Sequence, residues 1–309
     1  MFATTQESIR RRVVDGNVWL NSGPGEASIS LPVRQLEYQV LESEEAVGRA
    51  QFNEIVQAAR LKEGPLVIVL LGGRGAQALH RLLGQVAQTD EYDDLLGRLQ
   101  VFTQDALAPM RLNNGFSFVR DFERLMGKEF FAKVKSFTCM RTDTDDLESE
   151  LARYIEKLQS LGGIDIFFLG MGPEPEGASH LAYIKPGSGA TAADVAGLIP
   201  ISASILQHHI AKFKAGGSTV DKSDEDECRA ATHILTLGPA AILGARRLVQ
   251  SIVDASTAPG KRESYARLLT TEILPDPEKR LAQLNENPGL WIRLHPNVKS
   301  LILGDVLEG

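Results

Sequence analysis

The residue types able to carry chemistry gather in two stretches. Residues 164–188 read IDIFFLGMGPEPEGASHLAYIKPGS, a largely apolar run that breaks into Gly170-Met171-Gly172 and then a polar segment carrying Glu174, Glu176, His180 and Lys185. Carboxylates and an imidazole beside a strand end are the side chains of proton transfer. In an open α/β sheet, ligands bind where such a strand ends. The second stretch is Gly72-Gly73-Arg74-Gly75, directly after the apolar run LVIVLL at 66–71. Glycines there let backbone N–H groups approach an anion at a helix N-terminus. Arg74 has two readings: a charged fork for phosphate, or an exposed arginine on a strand-to-helix turn.

These stretches need a scaffold, and its grammar is visible along the chain. Residues 43–60 open on Ser43 with acids after it and carry apolar side chains at helical spacing, which predicts a helix. A buried parallel strand at 66–71, the glycine turn and a helix over 76–86 follow. A short strand at 99–102 ends at Gln104-Asp105, and amphipathic helices are predicted over 115–131 and 143–161, the second with an acidic first turn. The central strand at 164–169 comes next. Further on, 233–237 predicts a strand, Gly238-Pro239 a turn and 240–249 a helix, with 248–253 as an alternative strand. A helix over 261–271 and a last apolar strand after His295-Pro296, ending at Asp305, complete the pattern. Strands separated by helices predict an α/β chain with a modified Rossmann-like, mainly parallel sheet and helices on both faces. Residues 1–40 predict an N-terminal arm or added strands, and 41–309 one α/β domain.

Composition narrows the functional classes. The 309 residues include 43% hydrophobic and 24% charged residues, enough for a large core, and the net charge of −7 argues against a nucleic-acid partner. Cys139 and Cys228 lack metal-ligand spacing and suit a reducing compartment. No apolar run reaches the roughly 20 residues of a membrane helix, so a soluble cytoplasmic protein without a membrane partner is expected. No paired metal motif is present, and GGRGAQ lacks the dinucleotide pattern. Neither metal nor cofactor is expected.

The order of motifs resembles the glucosamine-6-phosphate deaminase (isomerase) and 6-phosphogluconolactonase superfamily. LVIVLLGGRGAQALHRLL stands in the place of that family's strand, phosphate loop and helix, and VFTQDALAPM followed by FSFVRDF is similar to its strand ending in Asp. LGMGPEPEGASHLAYIKPGS resembles its signature loop, with His-Leu-Ala-Tyr-Ile-Lys-Pro against His-Ile-Ala-Phe-Asn-Glu-Pro. THILTLGPAAILGARRLVQSI, APGKRESY and the closing LHPNVKSLILGD complete the series.

The resemblance implies a sugar-phosphate substrate and acid/base catalysis. It puts Asp105 in the place of the proton-abstracting carboxylate, although an Asp there also serves to cap a loop or helix start. His180 falls on the ring-opening histidine. Lys185 replaces the Glu that orients that histidine, a loss expected to disturb its tautomer and pKa, while Glu176 is the displaced acid of the loop. Gly72, Gly73, Arg74 and Gly75, with Gly170, Gly172, Lys185 and Lys261, are the implied substrate and phosphate contacts, and Arg262 competes with Lys261. The Arg that the family supplies near 202–209 is missing, with His208 and His209 as partial substitutes or surface residues. The implied function is a deaminase/isomerase-like enzyme, with a 6-phosphogluconolactonase-like hydrolase or a non-catalytic sugar-phosphate-binding protein as alternatives. Assembly with further copies of the chain stays open.

Overall fold

The computed structural model describes residues 9–21 and 29–308. Residues 1–8 and 22–28, part of the N-terminal stretch read as an arm or added strands, lie outside the described residues. The strands are β1 (Arg10–Val14), β2 (Asn17–Asn21), β3 (Tyr38–Leu41), β4 (Leu66–Leu70), β5 (Leu99–Thr103), β6 (Asp105–Ala108) and β7 (Ser136–Thr138). Then come β8 (Ile166–Leu169), β9 (Met171–Pro173), β10 (Ser179–Leu181), β11 (Asp194–Pro200), β12 (His233–Leu237), β13 (Arg247–Ile252) and β14 (Val298–Leu303).

Seven of these form one sheet in the order β3-β14-β13-β8-β4-β5-β7, and every neighbouring pair in it is parallel. The apolar runs behave as strands buried on both faces. In β4, Val67 and Val69 point into one core while Leu66, Ile68 and Leu70 point into the other, and β8 divides Phe167 and Leu169 from Ile166 and Phe168 in the same way. Helices Glu44–Leu61, Arg74–Val86 and Phe118–Lys133 cover one face with Ile55, Leu79 and Phe122. Helices Leu147–Ser160 and Gly260–Thr270 cover the other with Ile155 and Tyr265. The expected α/β sheet with helices on both faces is therefore present.

A second, antiparallel sheet of order β1-β2-β11-β12-β6 was not legible in the alternation. Residues 233–237 form a strand, as expected, but it belongs to this second sheet, between β11 and β6. The helix expected over 240–249 is cut to Pro239–Gly244, and Arg247–Ile252 is the alternative strand, inserted between β14 and β8. Burial decides here: Leu248, Val249 and Ile252 are fully buried between two neighbouring strands.

β1 and β2 form a hairpin around Asp15 and Gly16, both at positive φ, the conformation that suits a two-residue hairpin turn. Trp19 of β2 is fully buried in the core of the second sheet and donates its indole N–H to Ser188 O at 2.9 Å. Arg12 on β1 pairs with the fully buried Asp194. Trp19→Ala should cost about 3–5 kcal/mol, as removal of a large buried aromatic does. Urea denaturation measures it, and a loss under about 1 kcal/mol would show the hairpin to be an appendage.

Candidate active site

Four neighbouring strands of the large sheet, β13, β8, β4 and β5, end around one cavity of about 50 Å3. β4 runs into Leu71 and Gly72, β8 into Gly170 and Met171, and β5 into Gln104 and Asp105, all of which line it. This is the C-terminal edge of a parallel sheet, where strands stop and crossover helices start. His180, Tyr183, Lys212 and Lys261 close the remaining wall.

His180 reaches the cavity through a short ribbon. β9 and β10 pair antiparallel with His180 opposite Gly172, and a Cβ on Gly172 would sit 1.8 Å from the imidazole Cε1. The glycine therefore leaves room for the ring. Between the strands, Glu176 at φ 60° and Gly177 at φ 71° turn the chain back. That reversal brings Glu174 Oε1 to 2.8 Å from His180 Nδ1. An ionised carboxylate only accepts, so Nδ1 carries the proton and the neutral ring keeps Nε2 as its acceptor. Burial lowers the His180 pKa, and Glu174 opposes that shift.

Asp105 is 3% exposed. Burial raises its pKa to about 7, against the opposing hydrogen bond from Gln104 and the field of Lys212. Across the cavity stands a cationic group. Lys261 Nζ donates to Asp254 Oδ1 at 2.5 Å, and Lys212 Nζ lies 3.9 Å from Asp254 Oδ2. One carboxylate thus serves two ammonium groups. Burial, with Lys261 beside it, lowers the Lys212 pKa to about 7, and Asp254 only partly offsets this. Burial disfavours the Asp254 carboxylate, yet the two lysines outweigh it and hold its pKa below the usual value.

The glycine loop completes that side. Gly73 caps the helix Arg74–Val86 at φ 80°, a left-handed conformation suited to glycine. Arg74 lines the cavity and donates to Glu44 Oε1 at 2.7 Å. Gly75 packs its backbone against Ser251.

The structure brings Asp105, His180, Gly72, Arg74, Gly75, Gly170, Gly172 and Lys261 to one cavity, with Gly73 at the helix cap. It does not bring Glu176 or Lys185 there. Glu176 is exposed on the reversing turn, and Lys185 Nζ donates to Pro200 O at 2.7 Å. The carboxylate contact on the histidine, expected to be lost at Lys185, is made by Glu174. Arg262 donates to Asp305 O, away from the cavity. No Arg stands near 202–209, but Lys212, one turn beyond on the helix Ala203–Ala215, brings a cation to the cavity. His209 is buried, not superficial: Nε2 donates to Phe116 O at 2.8 Å, leaving Nδ1 to accept from Tyr183 OH at 3.4 Å. His208 is half-buried, its pKa pushed down to about 3 by burial and by Lys212 and Lys261. Among the described residues, no group of three or more His, Cys, Asp or Glu is arranged to hold a metal ion, and no helix is long and apolar enough to cross a membrane.

The fold and site define a class: an α/β protein with buried acid/base groups facing a cationic pocket at the C-terminal edge of its parallel sheet. Comparison with known proteins places it further. The chain is 30% identical over 128 residues to the glucosamine-6-phosphate deaminase of Dictyostelium discoideum, covering 40% of this chain and 44% of that protein. It is 26% identical over 165 residues to that of Geobacillus sp. (strain WCH70), covering 53% of each. The matched stretch thus spans about half or less of these relatives. No family model matches. Among solved structures, a monomeric glucosamine-6-phosphate deaminase shares the fold at a TM-score of 0.66 with 20% identity, covering 88% of this chain and 99% of that one. The 6-phosphogluconolactonase of Trypanosoma cruzi does so at 0.63 with 15% identity, covering 90% and 98%. Over the matched stretches the chain is similar in sequence to glucosamine-6-phosphate deaminases, and its fold is the one that deaminase and 6-phosphogluconolactonase structures share.

Glu174 raises the proton affinity of His180, so Glu174→Gln should lower the His180 pKa further. Nitrogen-15 NMR of the imidazole reads this, and an unchanged or higher pKa would contradict the contact.

Proposed function

We propose that the chain is an enzyme of the deaminase/isomerase kind, acting in the cytoplasm on an amino-sugar phosphate. The observation that carries this reading is a carboxyl group, Asp105, poised near neutrality in the same cavity as a carboxylate-held imidazole. The relatives' names supply the substrate class, and two unpaired cysteines fit a reducing compartment.

Phosphate binds between Lys212, Lys261 and Arg74, against the helix N-terminus that begins at Gly73. Asp254 compensates one of the two lysines, so the pair keeps a net positive charge for the incoming anion. His180, held at Nδ1 by Glu174, uses Nε2 to take the proton of the sugar's anomeric hydroxyl and passes it to the ring oxygen as the C1–O5 bond breaks and the aldehyde forms at C1. Asp105 then moves a proton between C1 and C2 of the open chain. A pKa near 7 suits a group that must both take and return a proton. Protonation at C1 leaves an imine at C2; water adds there, the amine departs as ammonia, and C2 becomes the carbonyl.

The lactonase reading keeps one specific support: lactonase structures share the fold almost as closely as the deaminase does. In it, His180 activates water on the lactone and Asp105 has no essential part. The non-catalytic reading drew on the loss of a carboxylate at Lys185, and Glu174 removes that ground.

Purified protein incubated with glucosamine 6-phosphate should release ammonia, and Asp105→Asn should lower kcat about 100-fold or more. Loss of 6-phosphogluconolactone instead, unaffected by Asp105→Asn, would favour the lactonase. The pH profile has a defined sign. Asp105 must be ionised to accept the proton, so kcat/KM falls below about pH 7. Lys212 loses its charge above about pH 7 and weakens phosphate capture, so kcat/KM falls there too. Lys261→Ala should raise KM about tenfold or more while changing kcat less, and a profile flat from pH 6 to 8 would contradict both assignments.

A further inference from the structure

The opposite edge of the large sheet, where β4, β8 and β13 begin, carries a second cavity of about 340 Å3. Two buried carboxylates organise its charges. Asp165, 4% exposed, accepts from Lys62 Nζ at 2.7 Å, from Val67 N at 2.7 Å and from Arg246. Glu54, 3% exposed, pairs with Arg247 at 2.6 Å and with Lys299 at 3.0 Å. Three cations of the lining, Lys62, Arg246 and Arg247, thus share two carboxylates, with Lys299 reaching Glu54 from outside it, and the cavity keeps a positive balance in a chain whose net charge is −7.

The cations are held in place but not used up. The Arg246 side chain remains 59% exposed while Nη1 is anchored on Asp165, and the Arg247 and Lys62 side chains are about one-third exposed. Beside them the lining has an apolar side of Ala58, Leu66 and Ile166, with Leu61 on the rim at 89% exposure, and two neutral polar groups, Gln57 and Asn297. Preoriented guanidinium groups favour the planar or tetrahedral oxygens of an oxyanion. An apolar lining beside them favours a ligand with a short hydrophobic body. The cavity volume also falls within the range of small-molecule pockets.

We propose that this cavity is a second ligand site, taking a small organic oxyanion: a phosphate or carboxylate group on a short apolar body. Arg246 and Arg247 hold the head and Leu61 covers the body. The site is remote from Asp105 and His180 and stands whether or not the chain is a deaminase.

Calorimetric titration tests it with phenyl phosphate and benzoate as probes of the two head groups, and with inorganic phosphate and phenol as head and body alone. At least one of the first two should bind, about tenfold more tightly than either fragment. Lys261→Ala, which removes a cation from the other cavity, should leave that affinity within about twofold, and Arg246→Gln should weaken it about tenfold or more. Arg246→Gln keeps Lys62 and Val67 N on Asp165, and an unchanged melting temperature and circular dichroism spectrum would exclude misfolding. Arg247→Gln provides a second variant with the same expected loss. The proposal is overturned if neither phenyl phosphate nor benzoate binds at millimolar concentration. It is equally overturned if binding survives both arginine substitutions and disappears in Lys261→Ala.

Discussion

Desolvation at the C-terminal ends of four parallel strands is the constraint on which the site depends. Asp105, His180 and Lys212 are all withdrawn from water, and burial is the largest cause of the shift in each. It works in opposite directions on acids and bases, raising the carboxyl and lowering the imidazole and the ammonium. Asp105 and Lys212 are therefore both brought near neutrality from ordinary values that lie far apart, 3.8 and 10.5. The apolar walls that do this are those that stabilise the fold. Leu71, Phe118 and Met171 line the cavity and belong to the cores on the two faces of the sheet.

A second device prevents burial from silencing the charges altogether. Asp254 keeps Lys261 and Lys212 close together, and Glu174 keeps His180 in one tautomer. A buried ion left alone is costly, while one anchored to a partner keeps its charge and geometry. The two lysines sharing Asp254 form an unfinished arrangement, short of one negative charge. The proposed phosphate would complete it, and the far edge of the sheet repeats the pattern with Asp165 and Glu54.

Much of the scaffold was legible because each parallel strand is buried on both faces and reads as a short apolar run ending in a turn. LVIVL at β4 and IFFL at β8 show this directly, and the glycine turn after β4 marks the cap of the following helix. Asp105, His180 and Lys261 were readable because each sits at a fixed step after such a strand or motif. The antiparallel sheet was not, since β6, β11 and β12 are separated by long stretches and neither pairing nor register follows from their composition. The end of the helix at Gly244 was obscured because 240–249 is apolar enough for either conformation.

The contact of Glu174 with His180 was not legible for a different reason. Its role depends on the reversal at Glu176 and Gly177, which folds β9 onto β10 and makes residues six apart into neighbours. Linear spacing gives no sign of that, and the acid nearer to His180 in sequence, Glu176, is turned outward. Lys212 was missed because its place in the cavity comes from the direction of a whole helix. The resemblance pointed only to residues 202–209, where no Arg stands.

The central claim is that buried Asp105 carries a proton between adjacent carbons of an open-chain sugar phosphate. Turnover of glucosamine 6-phosphate in deuterium oxide tests it most directly, with the product examined by proton NMR. Deuterium is expected at C1 of the product wherever the shuttled proton has exchanged with solvent, together with loss of turnover in Asp105→Asn. Ammonia release that persists at the wild-type rate in Asp105→Asn would contradict it.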